Sequence, residues 1–437
     1  MYKSSLALAV TLGIFAQQAA AAGFVEDSKL SLSSRTMYFN NDNRDGGADN
    51  RESGQGFKLD YLSGFTQGTV GFGVDVQALW GIHLDGGRGY HPNNSSFFPS
   101  ESNGSAVDQW SRIGGNAKAR FSKTEAHFGS ALAPALPILV SNDGRLLPQT
   151  FEGATIQSKE IDNLTVNAGQ LTHAMGRASS NHTGLSVAGA TEDSNKFRYG
   201  GLDYKLTKDL TLQYYYSNLE DFYKQHFLGA TYLYQIDKDQ SFKTDLRWFD
   251  SSSDGKNGQA GYRFNNNGGY GKTPGEVDNK TWSAIFTYTL GGNSFLLGHQ
   301  RVNDDGGFVW LNQGSLANEG AGGSSFYLFT DSMINQFAKA GENTTFGQYA
   351  YDFAGLGVPG LKASVSYLKG EDGKNANGNG TFSEWERDAR IDYVIQQGPL
   401  KGLGTSLRHG VYRGAGTSSL ADQDQTRLIF NYTYNFL

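Results

Sequence analysis

From Lys29 to Leu437 the chain repeats segments of roughly ten residues in which apolar and polar side chains alternate. Alternate residues of a strand point to opposite faces, so each segment has one greasy face and one polar face. In Val70 to Leu84 the set Val70, Phe72, Val74, Val76, Ala78, Trp80, Ile82, Leu84 alternates with Gly71, Gly73, Asp75, Gln77, Leu79, Gly81, His83. Thr281 to Leu290 puts Trp282, Ala284, Phe286, Tyr288 and Leu290 on one face. The last segment sets Leu428, Phe430, Tyr432, Tyr434 and Phe436 against Arg427, Ile429, Asn431, Thr433 and Asn435. Aromatics gather at segment ends, as interfacial girdles require.

The breaks alternate as well. Thr66 to Gly68, Ser122 to Thr124, Thr207 to Asp209, Gly291 to Gly292, Gly355 to Gly360 and Gly398 to Gly402 are tight. Asp42 to Gly54, Gly86 to Trp110, Ala174 to Asn195, Ser251 to Asn279 and Asn303 to Gly341 are long and rich in Gly, Asn, Ser and Asp. Short turns at one end and long loops at the other are the asymmetry of bacterial barrels. The expected fold is therefore all-β, a transmembrane antiparallel β-barrel of about 18 strands with both termini periplasmic. A β-solenoid would show a fixed repeat length, and none is present. Only 38% of the residues are hydrophobic, and no apolar run after Phe15 reaches the length a spanning helix needs. No linker, composition shift or helical periodicity marks a second domain, so residues 23–437 read as one barrel.

The first 22 residues read as a secretory signal peptide: Lys3 supplies the positive region, Leu6 to Phe15 the apolar core, and Ala19 to Ala22 the cleavage site. The chain has no Cys, which excludes disulfides and thiol chemistry. A net charge of -6 argues against nucleic acid as a partner. It leaves the lumen free to be basic, because the acidic loops Asp42 to Asp49 and Asp304 to Glu319 can lie outside it.

One segment breaks the alternation. Ala131 to Phe151 carries Pro134, Pro137 and Pro148 among apolar residues, too proline-rich for a strand and too apolar for a solvated loop. It is expected to fold into the pore as a constriction loop, with a lid over the barrel mouth as the alternative. Inward parity places Arg35, Lys118, Arg120, Arg247, Arg390, Arg408 and Arg427 in the lumen, and Arg145 sits in the constriction loop. A cation facing lipid costs about 2–4 kcal/mol at the midplane, so at membrane depth these side chains belong inside. As a group they form a candidate ladder that passes a carboxylate from one guanidinium fork to the next. The alternative for each one singly is a wall tie to lumen acids such as Asp75, Asp245, Asp388 and Asp392.

Catalysis finds little support. The eight His are dispersed without metal-ligand spacing, and Gly323-Ser324-Ser325-Phe326 lacks a nucleophile elbow. No cofactor or metal is expected. A serine hydrolase assembled in space is the rival of a different class.

Several strings resemble the OprD (Occ) family of outer-membrane porins: Ser63-Gly64-Phe65-Thr66-Gln67-Gly68-Thr69-Val70-Gly71-Phe72-Gly73-Val74-Asp75, Arg145-Leu146-Leu147-Pro148-Gln149-Thr150, Gly320-Ala321-Gly322-Gly323, Gly357-Val358-Pro359-Gly360-Leu361 and Gln397-Gly398-Pro399-Leu400-Lys401. The resemblance implies a monomeric barrel, passive uptake of small carboxylates, a basic ladder and an inward third loop. It also implies a serine of the seventh loop, here Ser325, near the solute. Channels for basic amino acids in this family carry an acid before that serine, and this chain has Ser324 there. That favours the aromatic monocarboxylate (BenF-like, OccK-type) subgroup, with benzoate as the type solute and a basic amino-acid or peptide channel as the alternative. The implied partners are a small anionic solute, outer-membrane lipid and lipopolysaccharide, and the barrel assembly machinery. The chain ends Phe436-Leu437, departing from the usual terminal Phe of assembly signals.

Overall fold

The computed structural model describes residues 23–86, 89–92, 95–316, 319 and 322–437. The signal-peptide segment 1–22 and the Gly320-Ala321 pair lie outside the described residues.

The first part of the wall comprises β1 (Lys29–Asn43), β2 (Asn50–Leu62), β3 (Val70–Asp85), β4 (Gln109–Phe121) and β5 (Thr124–Leu132). A short hairpin, β6 (Ala135–Leu136) and β7 (Leu139–Val140), follows inside the next connection. The wall continues with β8 (Thr150–Ser158) and β9 (Leu164–Met175), and β10 (Thr183–Gly184) folds back onto the end of β9. Next come β11 (Phe197–Lys205), β12 (Leu210–Leu219), β13 (Tyr223–Gln235), β14 (Gln240–Ser253), β15 (Asp278–Leu290) and β16 (Asn293–Val302). It ends with β17 (Asn343–Asp352), β18 (Leu361–Lys374), β19 (Thr381–Val394), β20 (Gly404–Ala415) and β21 (Gln423–Asn435). Leaving out β6, β7 and β10, 18 antiparallel strands remain, and β1 pairs with β21 to close the ring. Closure satisfies both edges, which an open sheet cannot do in hydrocarbon. No described helix is long and apolar enough to cross a membrane.

Alternation sets which residues meet lipid. Val70, Phe72, Trp80 and Leu84 of β3 are exposed, while Gly71, Gly73, Asp75 and Gly81 between them are buried. Outward rings meet across strands, as in Phe57 with Trp80 at 5.7 Å and Phe242 with Phe286 at 6.1 Å. Antiparallel pairing of an even number of strands puts both chain ends on the side of the tight turns 122–123 and 291–292. The long connections 86–108, 133–149, 176–196, 254–277 and 303–342 share the other end. The short–long rhythm fails once there, because 220–222 between β12 and β13 is also tight.

The interior is less polar than alternation alone suggests. Inward Leu171, Phe197, Tyr215, Phe227 and Phe249 join Leu185, Val187, Phe308, Val309 and Leu311 from the long loops in one buried apolar cluster. Inward Leu79 and Ile429 lie in a second cluster with Phe98, Leu146 and Leu147. Loops that fold inward cover these side chains. The larger cluster fills the side of the barrel lined by β9 and β11–β14, which leaves the passage along the opposite wall.

Candidate solute path through the barrel

Connection 133–149 runs inward and rests on β2. A Cβ on Gly54 would meet Leu146 at 2.8 Å and Phe98 at 2.5 Å, and one on Gly56 would meet the Leu146 carbonyl at 2.9 Å, so only glycine lets the loop lie this close. Arg35 grips the tip. Its guanidinium donates to the Asp143 carboxylate at 2.8 and 3.1 Å and to the Arg145 carbonyl at 2.6 Å. From the other side Arg112 of β4 donates to the Ser179 carbonyl at 2.9 Å and also to the carbonyls of Pro148 and Gly176. Connection 86–108 adds a third hold: Ser96 accepts from Arg145 Nε at 3.0 Å, and buried His91 anchors that connection to Glu52 of β2 at 2.5 Å while bonding Ser100 of the same connection at 2.8 Å.

The long connection 303–342 closes the neck opposite. Glu386 on β19 accepts the backbone N–H groups of Met333, Ile334 and Asn335 at 2.9, 2.9 and 2.8 Å. Ser332 donates to Asp388, and the Asn335 amide donates to Glu384. The two inward loops also hold each other, since Ser325 N–H donates to the Val140 carbonyl at 3.0 Å and Asn142 and Gln149 reach the carbonyls of Gly323 and Gly322 at 3.1 and 3.2 Å.

Two cavities remain along the free wall. The upper one, of about 550 Å³, is lined by Arg145, Arg177, Ser324, Ser325, Trp310 and Phe326 among others. The lower, of about 410 Å³, reaches Lys362, Arg390 and Asp392 toward the tight-turn end. Both are bounded by Asp331, Ser332, Met333, Arg408 and Arg427, so they are successive stations of one passage.

Strand register explains the lining. Arg390 on β19 stands directly opposite Arg408 on β20, which stands directly opposite Arg427 on β21. Three guanidinium groups thus form one row across three neighbouring strands, although like charges in opposed positions are destabilising. Arg390 meets Asp392 at 2.5 Å. Arg408 donates to Ser406 Oγ at 3.0 Å, and Arg427 to Gln425 Oε1 at 2.6 Å and the Met333 carbonyl at 2.5 Å. Among the described residues no carboxylate forms an ion pair with Arg408 or Arg427.

The other basic residues fare differently. Lys118 is buried against Asp75 at 2.7 Å and the Ser63 carbonyl at 2.7 Å, and Arg247 is held by Asp245 at 2.8 Å and stacked on Tyr327 at 3.7 Å. Both are wall ties. Arg35 is committed to the constriction loop, and Arg120 lies over the Phe65 ring at 4.2 Å. Only Arg145, Arg390, Arg408, Arg427 and Ser325 of the sequence-derived set line the two stations. Arg177, Asp331 and Lys362 line them too, without having been singled out by alternation. Lys362 shares inward parity with Ser364 and Ser366, a legible signal, whereas Arg177 and Asp331 sit in loops where parity says nothing.

Asp331 gives the passage a titratable element. Its side chain opens to the pore, but the protein packed around the neck displaces bulk solvent from it; this desolvation raises it to about 6 against the lowering pull of Arg177, Arg427 and Arg145. Below that pH the carboxyl is neutral, and the upper station, whose described lining includes four arginines, loses its one lining carboxylate. Anion selectivity is therefore expected to rise as pH falls from about 7.5 to about 5. Reversal potentials measured across that range in wild type and Asp331→Asn test it: the variant should be flat, and a flat wild type would exclude the effect.

Comparison with known proteins places this architecture. The family description "outer membrane porin, OprD family" matches residues 22–436. Porin D of Pseudomonas aeruginosa is 33% identical over 458 residues, covering 99% of both chains, and the porin-like protein GalP of Pseudomonas putida is 32% identical over 99% of this chain and 97% of its own. Among solved structures, Pseudomonas aeruginosa OccK8 (OprE) is 48% identical with a TM-score of 0.85, over 95% of this chain and 100% of its own. OpdK of the same organism, solved with vanillate, is 33% identical with a TM-score of 0.83 over the same shares. The chain belongs to the OprD family of substrate-specific outer-membrane porins, a channel for small solutes in the outer membrane and not an enzyme.

Proposed function

We propose that this porin admits small carboxylates, aromatic monocarboxylates such as benzoate in particular, along the row Arg427–Arg408–Arg390. The observation that carries the reading is the row itself: three inward guanidinium groups in register, two of them without an acid partner among the described residues, at the junction of both cavities. A carboxylate is bound in turn by forks that match its two oxygens. Arg145 meets it first at the neck, and Arg390 releases it toward Lys362 and the periplasm. Trp310 and Phe326, whose rings lie 4.4 Å apart beside the upper station, offer an apolar face to an aromatic solute. The vanillate in the OpdK structure, itself an aromatic monocarboxylate, agrees with this class.

Reconstitution with a panel of monocarboxylates including benzoate, set against arginine and lysine, tests the assignment. Benzoate is expected to permeate and to block chloride current in a concentration-dependent way. Passage of the cationic amino acids with exclusion of benzoate would instead make it a basic amino-acid channel, with Asp331 as the cation's partner.

A further inference from the structure

At the long-loop end, several outward cations have an acid within reach. Arg198, Lys224 and Arg301 have Glu220 at 4.0 Å, Asp254 at 3.1 Å and Asp304 at 2.8 Å. Arg387 of β19 departs from this. Glu386 and Asp388 on either side of it are buried inside the wall, so Arg387, which is exposed, faces outward. Its register partners are Tyr367 on β18 and Val411 on β20.

That level is the edge of the hydrocarbon. The outward residues of β18 run Leu361, Ala363, Val365 and Tyr367, then change to Lys369 and Glu371. The Tyr367 and Trp385 rings lie 6.0 Å apart and form part of the outer aromatic girdle. Around Arg387 the outward neighbours on three strands are Val365, Tyr367, Lys369, Trp385, Ala389, His409, Val411 and Arg413. Three of these, Lys369, His409 and Arg413, are basic residue types, and none is acidic. Lys369 and Arg413 have acids elsewhere, Glu371 at 2.6 Å and Asp424 at 2.7 Å, while among the described residues no carboxylate pairs with Arg387.

A guanidinium at the hydrocarbon edge, ringed by cations and aromatics, is complementary to an anion supplied by the lipid. We propose that the outer face of β18–β20 around Arg387, with Lys369, His409 and Arg413 beside it, docks a phosphate of lipopolysaccharide in the outer leaflet. The fork of Arg387 takes two phosphate oxygens, and the flanking basic side chains can offer further N–H donors. The long loops put this end of the strands on the cell exterior, which selects the outer-leaflet lipid. This surface lies outside the barrel and takes no part in the solute path.

Native mass spectrometry of the purified barrel, with lipopolysaccharide and its dephosphorylated form as probes, tests the site. Wild type is expected to retain the phosphorylated lipid, and Arg387→Gln to weaken that retention by about tenfold or more, with Arg387→Lys falling between. Dephosphorylation should weaken wild-type binding to the same degree. Arg198→Gln, whose arginine already has an acid, should bind like wild type, and unchanged single-channel conductance of Arg387→Gln shows an intact barrel. Equal retention by wild type and Arg387→Gln overturns the proposal. So does equal binding of phosphorylated and dephosphorylated lipid, or a phosphate-independent dimer that occupies this face.

Discussion

Arg408→Ala combined with Arg427→Ala is expected to abolish most of the anion preference of this channel. A full charge roughly 5 Å from a passing carboxylate acts with about 1–3 kcal/mol, at an effective dielectric between that of water and about 20. Removing both charges should therefore lower the anion-to-cation permeability ratio by about tenfold or more, since about 1.4 kcal/mol is a factor of ten. Zero-current potentials under a salt gradient read this directly. The strand wall should survive the same change, because Arg408 and Arg427 stand opposed in register and repel each other, although the Met333 carbonyl loses the donor that Arg427 supplies. A variant with unchanged permeability ratio would remove the two residues from the path. Arg390→Ala alone should have a smaller effect, because Asp392 already offsets part of its charge.

The second large effect is expected at a residue that touches no solute. Arg112 is buried in β4 and spans two inward loops through the carbonyls of Pro148, Gly176 and Ser179. Arg112→Ala leaves these acceptors buried without a donor, at about 1–3 kcal/mol each. The loops are expected to give way before the wall, which keeps its own ladder of hydrogen bonds. Single-channel recordings should then show conductance raised by about twofold or more with added current noise, on the reasoning that pore lining and diameter set the flux. Arg112→Lys should restore part of the normal conductance, because one ammonium reaches fewer carbonyls than a planar fork. Quiet, wild-type currents in Arg112→Ala would show that the neck does not depend on this brace.

The fold was largely legible in the sequence because period-2 alternation is set locally, by which face of each strand meets lipid. Val70 and Phe72 face out and Asp75 faces in for that reason alone. The same rule put Arg390, Arg408 and Arg427 in the lumen. It did not show that they oppose one another, since register depends on how neighbouring turns set the strands. Nor did it separate them from Lys118 and Arg247, whose acids Asp75 and Asp245 have the same inward parity and consume their charge. Glu384 and Glu386 share the parity of Asp388, yet their role as anchors is meaningful only once the loop that supplies Met333 to Asn335 lies against them. Leu79 and Ile429 are apolar residues of inward parity, and they are covered by Phe98, Leu146 and Leu147 from loops whose inward course only the tertiary structure reveals.

If a carboxylate rides the arginine row on the wall opposite the apolar filling, it can be located there directly. Crystals soaked in para-bromobenzoate, with the bromine located by its anomalous scattering, test this most directly. Bromine is expected in the upper and lower stations, with the carboxylate density within hydrogen-bonding reach of Arg427, Arg408 or Arg390. Bromobenzoate bound only beyond those stations, with the three guanidinium groups free of it, would remove the arginine row from the solute path.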